Sequence, residues 1–194
     1  MRSSSCSPLF VVWVGLFAII SAAVTPRITE AVIQVLIPLQ ALINDSDQVF
    51  VARVDKIDPE RPSVVLVAGD NLKGKAAFVR LPVNLTGDKE KHTPQLLKRL
   101  GPELPIIVFV KQEGPKKHMA LAFTNGTWFQ MLGEADGEQT RWAFTHCEIY
   151  LRRTFKGTTA ELQSIVTDVV AGKRKAPAPN PKEPAGLGPE VATK

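Results

Sequence analysis

The sequence predicts a mostly β protein of the α+β class, with a short helix inserted among the strands and an amphipathic helix after the last strand. Apolar and polar residues alternate through much of residues 48–151, which is the pattern of strands with one buried face. Apolar residues recur at helical spacing in residues 28–43 and again in residues 162–169.

The first 23 residues have the features of an export signal. Arg2 precedes an apolar run over Leu9–Ile20, and Ser21 and Ala23 place small side chains where a signal peptidase reads them. The run is shorter than the ~20 apolar residues that span a bilayer core. We therefore expect a secreted or periplasmic protein with no transmembrane segment once residues 1–23 are cleaved. The alternative is a membrane anchor formed by the uncleaved segment.

Composition argues for one domain and against a nucleic-acid partner. Residues 24–194 are enough for one domain with its own core. The net charge of +5 lies mostly outside the predicted fold, because the tail, residues 173–194, carries +3 and residues 24–172 carry only +1. Nucleic-acid binding requires Lys and Arg clustered on one face, and a nearly neutral fold gives no sign of this.

Residues 24–46 are predicted to form a helical lead-in to the β domain. Their apolar residues fall largely on one side of a helix, although Pro38 interrupts it. A polar cluster at residues 44–47 ends the segment. The β domain with its C-terminal helix is expected to occupy residues 47–172.

Three strands are predicted in the first half of the domain. Alternating or β-branched residues mark residues 48–55 and 63–67, and a third strand passes through Phe78 and Val83. A short helix follows, with Thr93 as the predicted N-cap and proline at the first helical position.

The second half contains a continuous apolar strand and a hairpin. Residues 104–111 are apolar almost throughout, which predicts a strand buried on both faces. Residues 118–123 and 127–132 flank Asn125-Gly126, the dipeptide that favours a tight hairpin turn. A further strand is predicted over Arg141–Leu151, with Trp142 and Phe144 on one face. The other face is expected to carry Ala143, Thr145, Cys147 and Ile149.

The C-terminal helix and tail differ sharply in composition. Thr158 and Glu161 match a capping box, and the apolar residues that follow lie on one face. From Lys173 the chain is rich in Lys, Ala and Pro, so it has little apolar surface to bury. We therefore expect a disordered tail, which could serve as a linker.

Cys147 is the single cysteine left after signal cleavage, because Cys6 precedes the apolar run. A single cysteine allows no internal disulfide, so the core must hold the fold together. We expect Cys147 to be a buried, unreactive side chain; a reactive or intermolecular thiol is the alternative.

Residues 47–133 resemble the OB-like barrels of the netrin-module and tissue-inhibitor-of-metalloproteinase class. The similarity lies in the first strand, Asp47–Val54, in the turn Leu72-Lys73-Gly74, and in the Ile107–Val110 strand before a hairpin containing Gly126. The resemblance implies a small antiparallel barrel, five-stranded and partly open, whose groove and loops bind ligands. Residues 141–172 are similar to the ends of some uncharacterised exported bacterial proteins, which implies no activity.

One departure from this class bears on function. The metalloproteinase inhibitors use a disulfide-bonded cysteine at the mature N-terminus to chelate zinc, and this chain has no cysteine near Val24. Protease inhibition by that route is therefore not expected.

His146 and Glu148 are the candidate metal ligands. On a strand they would share one face while Cys147 points away, which leaves a two-ligand site where zinc needs three or four protein ligands. A structural role for both side chains is the preferred interpretation.

The sequence contains no catalytic or cofactor-binding motif. It has no nucleophile elbow, no His-Glu-x-x-His helix and no phosphate-binding glycine loop. Trp128 and Phe129 point to opposite faces of a strand, so one of them is expected in the core and Trp128 is the candidate partner-binding anchor if exposed. We therefore expect a secreted, non-enzymatic binding domain that contacts a protein or a cell-envelope component. The alternative is an exported metal-handling protein or enzyme that uses His146 and Glu148.

Overall fold

The computed structural model describes residues 36–102, 104–137 and 139–191. The predicted signal, residues 1–23, and most of the lead-in lie outside the described residues. The helices are α1 (Leu39–Asp45), α2 (Thr93–Leu97) and α3 (Thr159–Val170), with a 3-10 helix at Ile149–Arg153. Within the described ranges, every helix is too short or too polar to cross a membrane.

Seven strands in the described ranges close into a barrel. They are β1 (Gln48–Asp58), β2 (Ser63–Lys73), β3 (Arg80–Asn84), β4 (Pro105–Gln112), β5 (Lys117–Thr124), β6 (Thr127–Asp136) and β7 (Gln139–Cys147). Around the barrel the order is β1-β2-β3-β7-β6-β5-β4, and β4 pairs with β1 to close the sheet. All neighbouring strands are antiparallel except β3 and β7, which are parallel.

The barrel confirms the predicted fold class, a mostly β OB-like domain with an inserted helix between β3 and β4 and a helix after β7. The five-stranded, partly open barrel implied by the family resemblance is wrong. The hairpin of β5 and β6 adds two strands between β4 and β7, so the sheet wraps completely and leaves no edge.

Two hydrophobic cores hold the barrel together. One fills its interior, with Phe50, Leu66, Leu81, Val108, Met131 and Phe144 among its members. The other lies outside, where α1 and α3 cover the outer faces of β1, β4 and β5; it includes Leu39, Ile43, Phe109, Phe123, Leu162 and Val166. Because β4 lies between the two cores, Ile106–Val110 is buried on both faces, as predicted.

The predicted turn and cap chemistry is present at two places. Asn125 and Gly126 both have positive φ, 37° and 79°, and they connect β5 to β6 in the predicted hairpin. The Thr158 side chain accepts from the Glu161 N–H, and the Glu161 carboxylate accepts from the Thr158 N–H. Both predictions are confirmed.

The predicted N-cap of the inserted helix is displaced by one residue. The N-cap of α2 is His92, and Thr93 is already helical. The Thr93 hydroxyl donates to the Leu85 carbonyl at 3.0 Å and lies 2.8 Å from Oδ2 of Asp88, so it holds the preceding loop instead of capping the helix.

A bulge changes which residues of β7 face the barrel interior. Gln130 pairs with His146 but Met131 pairs with Phe144, so Thr145 is an extra residue on β7. Cys147 therefore joins Phe144 in the interior core, and its predicted place on the face of Ala143 and Thr145 is wrong. The predicted end of the strand is also wrong, because the chain enters the 3-10 helix at Ile149.

The tail packs against the barrel, so the prediction of a disordered segment is wrong for residues 173–191. The Asn180 N–H donates to Arg153 O at 2.7 Å, and the Val191 N–H donates to Lys98 O at 2.8 Å. A low content of apolar residues favours disorder. In this tail, main-chain hydrogen bonds and the pairing of Glu183 with Lys156 and Arg152 hold the chain in place.

Candidate functional site

A surface groove lies beside the short pairing of β3 with β7. These two strands share only two residue pairs, Val83 with Trp142 and Asn84 with Ala143, because β3 ends at Asn84. The groove has a volume of about 770 Å³ and is called the β3–β7 groove below. Its apolar lining comes from Val64, Val65, Pro82, Val83, Leu132, Ala143 and Trp142.

Trp142 is fixed in this groove by aromatic and glycine contacts. Its indole packs edge-on against Phe78, with ring centroids 5.1 Å apart, and tilted against His118 at 6.2 Å. Gly133 lies opposite on β6, and a Cβ atom there would come within 3.0 Å of the indole ring. Glycine at position 133 therefore makes room for the indole across the neighbouring strand.

The indole N–H of Trp142 is an unused donor. The side chain is only 2% exposed, and its Nε1 has no hydrogen-bond partner among the described residues. Buried Trp N–H groups usually have an acceptor.

The charged side chains of the groove balance one another. Lys117 and Arg141 contribute positive charge, and Glu113 and Glu134 contribute negative charge. Lys117 and Glu134 are cross-strand neighbours on β5 and β6, and Arg141 also pairs with the Asp136 carboxylate outside the groove. Such a lining suits a neutral or dipolar ligand better than a strongly charged one.

His146 and Glu148 lie together near the other end of β7, and Glu148 already follows the strand, which ends at Cys147. His146 Nε2 is 2.8 Å from Glu148 Oε1, and both side chains are buried. In the described part of the chain, no group of three His, Cys, Asp or Glu side chains is arranged to hold a metal ion. The pair therefore provides two potential ligands in a hydrogen-bonded contact.

Cys147 is buried beside this pair and points into the barrel. Burial, with a smaller contribution from the nearby charge of Asp88, raises the pKa of its thiol from 9.0 to about 12. A thiol with such a pKa stays protonated at neutral pH and is a poor nucleophile. The Cys147 N–H donates to His92 Nδ1 at 3.1 Å, a contact that the sequence spacing gave no reason to expect.

Trp128 is in the core, which corrects its prediction as an exposed partner-binding anchor. Trp128 and Phe129 are both 1% exposed, because the outer face of β6 at this point is covered as well as the inner one. The Trp128 indole N–H donates to Phe155 O at 2.8 Å. Sequence alternation separated the two faces correctly but did not reveal the helical layer outside the barrel.

The β3–β7 groove was missed by the sequence analysis. Its two walls are about 60 residues apart in the chain, and the parallel pairing that brings them together leaves no local pattern. Comparison of the chain with protein-family models, with curated proteins and with solved structures found no match.

Proposed function

We propose that this protein is an exported, non-enzymatic binding domain whose ligand site is the β3–β7 groove. The ligand is an apolar group with a hydrogen-bond-accepting oxygen, presented by a protein or a cell-envelope component. The observation that carries this proposal is the open, mostly apolar groove lined by Trp142, a buried side chain whose indole N–H has no hydrogen-bond partner among the described residues.

The indole N–H of Trp142, which is unpaired among the described residues, favours binding of a ligand that offers a hydrogen-bond acceptor. A buried polar group without a partner costs on the order of 1 to 3 kcal/mol, and an oxygen placed against it removes that cost. Because Trp142 is held by Phe78 and His118, the donor is already oriented before a ligand arrives. Preorganisation of this kind lowers the entropic cost of binding.

The walls of the groove determine the rest of the ligand chemistry. Leu132 is 41% exposed and Pro82 is also exposed, so apolar surface is available to a ligand without rearrangement. The balanced charges of the lining offer no strong attraction to an anion or a cation. The groove therefore favours a neutral amide or ester with an aliphatic side chain.

A titration with a neutral probe, N-acetyl-leucine-N-methylamide, tests the proposal. Calorimetry of the full chain should show saturable binding, and Leu132→Asp should weaken it by about tenfold or more because a carboxylate would enter the apolar wall. Val79→Asp is the matched control, since Val79 is 77% exposed and lies outside the groove lining. Equal affinities of both variants, or no binding by the unaltered chain, would contradict the proposal.

A further inference from the structure

The segment Glu183–Val191 occupies a second site, at the end of the barrel formed by the β5–β6 hairpin, the 3-10 helix and α2. It shares no lining residue with the β3–β7 groove. Glu183 and Gly188 are buried, and Leu187 packs against the interior core. The segment therefore fills a built site instead of lying on a flat surface.

The barrel holds the main chain of this segment from several directions. The Gly186 N–H donates to Ile149 O at 3.0 Å, and the Gly188 N–H donates to Thr127 Oγ1 at 3.0 Å. Two arginine side chains donate further hydrogen bonds to main-chain carbonyl oxygens of the segment. Arg152 Nη1 donates to Leu187 O at 3.2 Å, and Arg99 Nε donates to Gly188 O at 2.7 Å.

Hydrogen bonding to the main chain is how many proteins bind an extended peptide. Here four main-chain groups of Gly186–Gly188 form hydrogen bonds with groups of the barrel and its helices. The hydrogen bonds from two charged arginines are of the stronger, charge-assisted kind.

The site is selective for glycine at position 188. A Cβ atom at that position would lie 1.9 Å from Asn125 O and 2.9 Å from Gly126 C, both main-chain atoms of the hairpin turn. Neither can move without disrupting the turn, so a larger residue is excluded. Leu187 beside it supplies the apolar contact.

Acidic residues on either side of the glycines meet basic partners. The Glu183 carboxylate accepts from Lys156 Nζ at 2.7 Å and from Arg152 at 3.2 Å. Glu190 lies 3.5 Å from Lys98 Nζ and 3.8 Å from Arg99 Nη2. The site therefore reads a leucine-glycine pair with a glutamate on either side, Glu-x-x-x-Leu-Gly-x-Glu, through shape, main-chain hydrogen bonds and charge.

We propose that this barrel end is a peptide-recognition site that the chain's own tail occupies in cis. A partner protein that carries an apolar-glycine pair flanked by acidic residues binds there by displacing the tail. The tail follows α3 through the exposed residues Lys173–Lys175, so it is tethered to the domain by a stretch outside the site. Tethering makes the tail a competitor at high effective concentration.

The test uses the full chain and a fluorescein-labelled peptide of residues 180–191. Gly188→Val in the full chain should expel the tail, and the peptide should then bind about tenfold or more tightly than to the unaltered chain, because the free site is more populated. A peptide that itself carries Gly188→Val should not bind. Lys182→Ala is the control variant, since Lys182 is exposed and should leave binding as weak as in the unaltered chain.

A second variant protects the test against misfolding caused by Gly188→Val. Glu183→Lys combined with Glu190→Lys weakens the tail by charge repulsion without altering the barrel, and should also raise peptide affinity. Equal peptide affinity for the unaltered chain and both folded variants, or no binding to any of them, would overturn the proposal. Concentration-dependent dimers of the unaltered chain that Gly188→Val abolishes would assign the ligand to a second copy and overturn the partner assignment.

Discussion

The main-chain N–H of Cys147 donates a hydrogen bond to Nδ1 of His92, 3.1 Å away and 55 positions earlier in the sequence. This contact fastens the residue before α2 to the last residue of β7, beyond the point where β3 ends. The hydrogen bond requires an unprotonated Nδ1, because a protonated nitrogen has no lone pair to accept.

Replacing His92 should therefore destabilise the domain. His92→Ala leaves the Cys147 N–H without its acceptor, and we expect a loss of about 1 to 3 kcal/mol in the free energy of unfolding. Urea unfolding followed by circular dichroism measures the loss. Glu90→Ala, at an exposed position of the same loop, is the control and should change stability by less than about 0.5 kcal/mol. Equal effects of the two substitutions would show that the His92 contact contributes nothing.

The Cys147 thiol should be unreactive in the folded protein. In a Cys6→Ser background Cys147 is the single thiol of the chain, and burial with a pKa of about 12 should prevent labelling by a thiol reagent until urea unfolds the protein. Cys147→Ser should cost on the order of 1 to 3 kcal/mol, since it buries a hydroxyl in the barrel core. Labelling of the native protein as fast as of the unfolded chain would contradict this account.

Acid should release the tail from the barrel end. The hydrogen bond from Lys156, reinforced by Arg152, lowers the pKa of Glu183 below its ordinary value of 4.5. Because its pKa is lower in the folded state, the ionised Glu183 carboxylate stabilises the docked tail at pH values above the ordinary pKa. This stabilisation is lost as the pH falls through the folded-state pKa. The Gly188 amide should therefore exchange with solvent faster, after correction for intrinsic rates, at about pH 3 than at about pH 6. Glu183→Gln is the control, and its exchange should not show this change between the two pH values.

Gly133 should be intolerant of a side chain. In Gly133→Ala the new methyl group would meet Thr140 Cγ2 at 2.9 Å and the Trp142 ring at 3.0 Å, so the indole must move. We expect a loss of about 1 to 3 kcal/mol, typical of overpacking. Gly69→Ala is the matched control, because its nearest neighbour would be Val51 O at 3.4 Å. Calorimetric unfolding of the two variants gives the comparison, and equal stability would refute the tight packing of Trp142.

The sequence predicted those parts of the fold that depend on local patterns. The β4 run, the Asn125-Gly126 hairpin and the Thr158 cap each follow from a few neighbouring residues, and the structure confirms them. Cys147 was placed on the wrong face because one bulged residue, Thr145, reverses the alternation after it.

The candidate sites are formed by residues that are far apart in the sequence, so a local sequence pattern does not predict them. Trp142 and Val83 meet through a parallel pairing of distant strands, and Gly188 is held by the turn at Asn125. The low apolar content of the tail predicted disorder, because composition does not show which residues Gly188, Glu183 and Glu190 contact in the folded chain.

The indole N–H resonances of the two tryptophans in the barrel test the central claim most directly. In a ¹⁵N-labelled chain with Trp13→Phe, titration with N-acetyl-leucine-N-methylamide should shift the Trp142 Nε1–H signal downfield in a saturable way, because the ligand oxygen accepts from it. The Trp128 signal is the internal control and should not move, since its N–H already donates to Phe155 O. No shift of the Trp142 signal, or equal shifts of both signals, would contradict ligand binding in the β3–β7 groove.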